Sequence, residues 1–373
     1  MSFMARLVGE RAIRNAEVSE NPDTPGDYSV DFVPPPVNGA YQLTVSVRWW
    51  RGMEDPGENN TSTFLGANGY KNFKQDDRFR QVEEACVVFG SPVAVYVEGA
   101  VAKPTAELPI CSGMNEQGCW EKVNGTALCN HPSPESLGEC YVLDRVNPDW
   151  LWRGDECRYH FFSQMEVQRC FNHTTLLVRG DSLADEIAYN LLGFGMEDLL
   201  DRTLYRHYRA PYFGRLSDWK RLQTKRVFLI VNFDVTHLIF HRPLNFLSNN
   251  TVDYIKASWA QILEVAPDFD IHVIFYSGYP AHFEREKGIT HDRMVHANGV
   301  LATAAKDLGF EIMDTNIVLS SRPEASWDGL HFSFREEHLG GVSKMLTMIL
   351  LNRICSSEIE NDRLVLGSDK EFT

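Results

Sequence analysis

The chain has 373 residues, 43% hydrophobic and 23% charged, enough material for two globular domains with a substantial core. A formal net charge of −15 argues against general nucleic-acid binding and against attraction to anionic membranes. No stretch reaches the roughly 18 consecutive apolar residues of a membrane-spanning helix, so no span is expected.

The opening, MSFMARLVGERAIRNAEVSE, lacks an apolar core segment and does not read as a signal peptide. Residues 1 to about 38, with Pro22, Pro25 and Pro34-Pro35-Pro36, read as an irregular linker or edge segment. Residues 41–50 alternate Leu43, Val45, Val47 and Trp49 against polar neighbours, the pattern of a half-buried strand. β-rich runs follow at 85–89 and 93–97, after an Asn- and Gly-rich loop over 58–76. These predict a small antiparallel β-sandwich, Ig-like, in a first domain of residues 1–105. Its expected role is to partner the second domain in folding, or to bind a glycan or protein.

Residues 106–170 form a Cys- and Trp-rich connector. Cys111, Cys119, Cys129, Cys140, Cys157 and Cys170 crowd into it, with Cys86 and Cys355 outside. The lack of any Cys-x-x-Cys pair speaks against a zinc ribbon, and an even count in a loop-rich stretch reads as disulfides whose pairing stays open. Glycosylation sequons begin at Asn59, Asn60, Asn124, Asn172 and Asn249. Together with the cysteines they predict a secreted, cell-surface or luminal protein. Trp120, Trp150 and Trp152 either supply core that short elements cannot build or stack on a substrate.

From 171 to 373 the texture is α/β. Residues 174–178 are a buried strand, and Gly180-Asp181-Ser182 turns it into a helix with Leu183, Ile187, Leu191 and Phe194 on one face. A basic stretch from Arg202 to Arg226 reads as a solvated face or a grip on an anionic substrate. Strands at 227–231, 271–276 and 310–313 alternate with helices at 248–265, 291–308 and 335–355, predicting a doubly wound parallel sheet. No Gly-rich phosphate loop is present, and no cofactor is expected. No metal site is expected either, since His291-Asp292 is too sparse a pair of ligands. Arg179-Gly180-Asp181 spells an adhesion tripeptide, but a buried strand end cannot present it.

The chemistry concentrates at two ends of this region. Gly180-Asp181-Ser182 by itself is equally a βα turn with a capping residue. Near the other end, SWDGLHF places Asp328 three residues before His331, a spacing that lets a carboxylate hold an imidazole in one tautomer. Ser182 would be the nucleophile, His331 its general base and Asp328 the orienting group. The oxyanion donors would be the Ser182 N–H and Asn232, the latter equally a turn residue. His237 and His282 also follow strand ends and are candidates for contacts with sugar hydroxyls.

This layout resembles the PC-esterase branch of the SGNH/GDSL hydrolase superfamily, which includes the NXPE (neurexophilin and PC-esterase) and trichome-birefringence-like proteins. Residues 232–240 are similar to the family's strand running into an Asn/Gly–His stretch, and 277–283 to its Ser-Pro-x-His-Phe segment, with Tyr279 inserted. The resemblance implies an SGNH-type α/β fold, a Ser182–His331–Asp328 triad, and a pocket set of Gly180, Asp181, Asn232, His237 and His282. It further implies a carbohydrate or glycoconjugate substrate carrying acetyl esters, with O-acetyltransferase or acetylesterase activity. A transferase would draw on a soluble acetyl donor, because no membrane-embedded donor module is present. The second-block Gly of SGNH enzymes is absent, its strand ending in Asn232-Phe233-Asp234. That departure sustains an alternative: a non-catalytic glycoprotein that keeps the fold for binding or assembly.

Overall fold

In the computed structural model the described residues are 2–49, 91–99, 108–122, 150–162, 164–172, 174–192, 213, 219–220, 222, 226–236, 249–281, 291–326, 330–332 and 341–355. An antiparallel sheet comes first, built from β1 (Ser2–Gly9), β2 (Ala12–Glu20), β3 (Tyr28–Asp31), β4 (Gly39–Trp49), β5 (Val93–Val97), β6 (Gly118–Lys122) and β7 (Trp150–Gly154). The strand order is β5-β4-β1-β2-β6-β7. One edge of β2 is shared: its start pairs with β6 and its end, Glu17 to Glu20, with β3.

The N-terminal segment expected to be irregular is therefore the hairpin at the centre of the sheet, with Ala5 opposite Ala16 and Val8 opposite Ile13. Its strand character is masked in the sequence because both faces are covered. Arg6 and Leu7 are neighbours and both are buried. Leu7 joins Ala12, Val37, Tyr41 and Val97 in a small core on one side. Arg6 reaches the other way, donating to the Ser321 carbonyl at 3.2 Å. With two buried faces, the alternation that marks a half-exposed strand disappears.

Two strands from the cysteine-rich segment, β6 and β7, extend this sheet. Their tryptophans are core residues. Trp120 and Trp152 meet edge to face with centroids 5.8 Å apart, and the Trp120 indole N–H donates to the Val318 carbonyl at 2.8 Å. Arg322 lies over both Trp120 and Trp150. Asn15 and Asn115 add amide bonds to the Ile317 and Ile312 carbonyls. Ile13, Trp120 and Trp152 thus belong to the same hydrophobic core as the second half of the chain.

Two disulfides, Cys111–Cys157 and Cys170–Cys355, are formed among the described residues. Cys119 is a buried free thiol, its pKa pushed up to about 12 chiefly by burial, so it is protonated and inert at neutral pH. Cys86, Cys129 and Cys140 lie outside the described residues, as does the strand expected at 85–89.

The second half begins with α1 (Gln164–Phe171) and continues with β8 (Thr174–Arg179), α2 (Ser182–Leu192), β9 (Arg226–Val231), α3 (Asn249–Val265), β10 (Asp270–Tyr276), α4 (His291–Asp307), β11 (Glu311–Met313), α5 (Asn316–Leu319) and α6 (Gly341–Ile354). The four strands are parallel in the order β8-β9-β10-β11. Val227 through Val231 are all fully buried, so β9 is covered on both faces, the setting in which a parallel strand reads as a continuous apolar run. α6 packs against α2, and Asn190 of α2 donates to Ser343 and Thr347 of α6 inside that contact. Among the described residues no helix is long and apolar enough to cross a membrane.

The register decides where chemistry can occur. Arg179 pairs with Val231, Val231 with Phe275, and Tyr276 with Met313. All four strands therefore end on one edge, and the segments that follow them, Gly180-Asp181-Ser182, Asn232-Phe233-Asp234, Ser277-Gly278-Tyr279 and Asp314-Thr315, line up along it. In open parallel sheets this carboxyl edge is where ligands bind.

Candidate active site

Gly180 makes the turn out of β8. Its φ of +151° disfavours a side chain, and an added Cβ would lie 2.0 Å from Asn232 Oδ1. The absence of that Cβ lets Asn232, fully buried at the end of β9, fold across the turn. Asn232 Oδ1 accepts the N–H of Asp181 at 3.2 Å and of Asp234 at 3.0 Å, while its amide nitrogen donates to Asp181 Oδ1 at 2.6 Å.

Asp181, 1% exposed, is the hub of this edge. Its Oδ1 also accepts the Leu183 N–H at 3.1 Å, which caps α2, and its Oδ2 accepts both the N–H and the hydroxyl of Thr236. Its carbonyl accepts from Ala184 and Asp185. The capping reading of this turn holds for Asp181, and the residue after it carries a hydroxyl at the head of the helix.

That residue is Ser182, first in α2 and partly exposed. Its Oγ lies 2.7 Å from Nε2 of His331, across 149 residues of sequence. His331 is 5% exposed and sits in a short irregular segment, where its own carbonyl accepts the Ser326 hydroxyl at 2.9 Å. A hydroxyl at the head of a helix, hydrogen-bonded to a buried imidazole, is an arrangement that can yield a nucleophilic oxygen.

The other expected site residues divide in two. Gly180, Asp181 and Asn232 are brought together beside Ser182, with the described side-chain hydrogen bonds of Asn232 made to Asp181 and Asp234. Asp328, His237 and His282 lie outside the described residues, as do Asn59, Asn60, Asn124 and most of the basic stretch. Asn172 is exposed just past α1, and Asn249 begins α3. Arg179 and Asp181 are both buried, so the adhesion tripeptide is not presented.

One feature had no sequence signal. Phe233 and Asp234 both adopt positive φ, 54° and 52°, a conformation costly for a side chain as bulky as Phe. Burial, then the charges of Asp181 and Asp185, push the Asp234 carboxyl up from 3.8 to about 7. The folded protein therefore holds this proton more tightly than the unfolded chain. The associated stability is complete below about pH 4 and is lost as pH rises towards 7. Asp234→Asn keeps a residue type that tolerates positive φ and removes the charge. Its stability is expected to match wild type at pH 4 and to exceed it by about 4 kcal/mol at pH 8. Urea unfolding at the two pH values checks this; an unchanged difference between them would refute it.

No protein-family model and no curated protein matches the chain. Among solved structures it is similar to a catalytic mutant of an acetylxylan esterase from Geobacillus stearothermophilus, at 15% identity and a TM-score of 0.30 over 49% of this chain and 94% of that one. A second mutant of the same esterase gives 16% identity, a TM-score of 0.30, and 49% and 94% coverage. A GDSL-like lipase from Parabacteroides merdae gives 12% identity and a TM-score of 0.30 over 49% of this chain and 96% of that one.

Proposed function

We propose that this chain is a serine-dependent enzyme of SGNH type that removes or transfers acetyl groups on carbohydrate hydroxyls. The observation that carries the proposal is the 2.7 Å hydrogen bond between Ser182 Oγ and His331 Nε2 at the carboxyl edge of the parallel sheet. As Oγ attacks the ester carbonyl, its proton passes to Nε2 and the carbonyl π pair moves onto oxygen. The Ser182 N–H, at the positive end of α2, is the oxyanion donor assigned here. Collapse of the tetrahedral species breaks the bond to the sugar oxygen, which leaves with the proton from His331. Water, or a second sugar hydroxyl, then attacks the acyl-Ser182 with the same proton traffic in reverse and frees the enzyme.

The finer assignments rest on the resemblance of the Gly180-Asp181-Ser182 and Asp328-x-x-His331 motifs to the PC-esterase branch. They are Asp328 as the group that orients His331, His237 and His282 as pocket residues, and acetylated carbohydrate as substrate. The two disulfides and the exposed Asn172 sequon support action in an oxidising, secretory setting.

Intact-mass labelling with a fluorophosphonate tests the reading. A single adduct on wild type that is absent from Ser182→Ala is the expected result, followed by acetate release from acetylated glycans. No adduct on folded wild type would sink it and leave the non-catalytic binding role in its place.

A further inference from the structure

His331 is on no helix or strand, yet its Nε2 is held within hydrogen-bond distance of Ser182. The contacts that fix its backbone come from two sides. Ser326 Oγ donates to the His331 carbonyl, and the next N–H along, that of Phe332, donates to Glu186 Oε1 at 2.9 Å. Glu186 is fully buried and lies four residues after Ser182 on α2, so nucleophile and carboxyl share a helix face. Behind it, Tyr276 and Tyr279 are fully buried with their hydroxyls 2.7 Å apart. Burial first, and then Tyr276 and Glu186, hold the Tyr279 phenol well above its ordinary value, so it stays protonated beside the carboxyl. The Tyr279 ring in turn meets Phe332 edge to face.

We infer that Glu186 is the positioning residue for the general base: by gripping the Phe332 N–H it ties the His331 segment to the helix that carries Ser182. The inference rests on the esterase reading for its catalytic consequence, though not for the grip itself. Reach, rather than charge, does the work. The Phe332 side of the segment is referred to α2, and an ångström of drift in His331 would break a 2.7 Å bond.

Two substitutions separate reach from charge. Glu186→Gln keeps an oxygen at the same reach and loses the charge; Glu186→Asp keeps the charge and withdraws the oxygen by one methylene. The Asp variant is expected to lower the maximal rate of fluorophosphonate labelling by about 100-fold with the reagent's half-saturation concentration unchanged, and the Gln variant to recover all but about threefold of that loss. The opposite order, or two variants at the wild-type rate, overturns the inference.

Hydrogen exchange of the Phe332 amide, read by NMR, does not depend on activity. Protection in wild type and Glu186→Gln, lost in Glu186→Asp, supports the grip even if wild type takes no label, in which case only the esterase reading falls. Free-peptide exchange of that amide in folded wild type overturns the grip, whether or not Glu186→Asp folds.

Discussion

His331→Ala is expected to slow fluorophosphonate labelling of Ser182 by about 10,000-fold, close to 5.5 kcal/mol of transition-state stabilisation, while the protein stays folded. The size follows from what the imidazole does. Without it, the Ser182 hydroxyl must lose its proton to water at the moment of attack, and an unassisted serine hydroxyl is a poor nucleophile at neutral pH. The fold is spared because the segment is held by its backbone: the His331 carbonyl keeps the Ser326 hydroxyl, and Phe332 keeps Glu186. Removing a ring that is 5% exposed leaves a cavity, which lowers the melting temperature without unfolding the chain. Labelling time courses with circular dichroism on the same samples decide the matter. A variant that is folded and reacts at the wild-type rate would show that the 2.7 Å contact is structural and that Ser182 is not activated by His331.

The two partners of that contact were legible in the sequence for a simple reason. A buried strand that breaks at Gly-Asp-Ser and restarts as a helix has one place for its serine, and the Asp-x-x-His pattern before the last helix singles out one imidazole as its candidate partner. Both are local patterns, and the parallel sheet expected between them has a carboxyl edge that gathers such segments. What the pattern could not carry is who touches whom across that edge. Asn232 reads equally as a donor or a turn residue, and its described side-chain hydrogen bonds go to Asp181, beside Ser182, and to Asp234 in its own turn. Glu186 carries no mark in the sequence, because burial of one carboxyl against a backbone N–H 146 residues away leaves no periodic trace. The positive φ of Phe233 is likewise invisible, since a bulky aromatic is not a residue type that marks it.

The first forty residues hide their strands for the opposite reason: too much is buried there. Arg6 beside Leu7, and Ala12 beside Ile13, face different cores, so the polar half of the alternation is missing just where the strands are most central. Arg14, paired through both nitrogens to Asp155 at 2.7 and 2.5 Å, adds a buried charge that reads as surface in the sequence. Prolines at 22, 25 and 34–36 mark the loops around a hairpin that is itself regular. A sheet clamped between a partner domain and its own small core hides its period.

Replacing both Cys170 and Cys355 by Ala is expected to cost about 5 kcal/mol of stability and about 10 °C in melting temperature, with the labelling rate at 25 °C unchanged. The bridge closes a loop of 185 residues that contains the entire parallel sheet, and the entropy it removes from the unfolded chain grows with loop length. It joins the end of α1 to the residue after α6, the first and last helices of the described α/β unit. Cys170 precedes β8, whereas Ser182 follows it, so six strand residues, about 20 Å, separate staple from nucleophile. Stability and chemistry should therefore come apart: the variant melts early but reacts at the wild-type rate while folded. Calorimetry together with labelling at 25 °C measures both. A melting temperature unchanged by the double substitution would mean that the α6–α2 packing and its Asn190 contacts already hold the ends together. A labelling rate that fell with stability intact would mean that the staple reaches the site through α6 and α2.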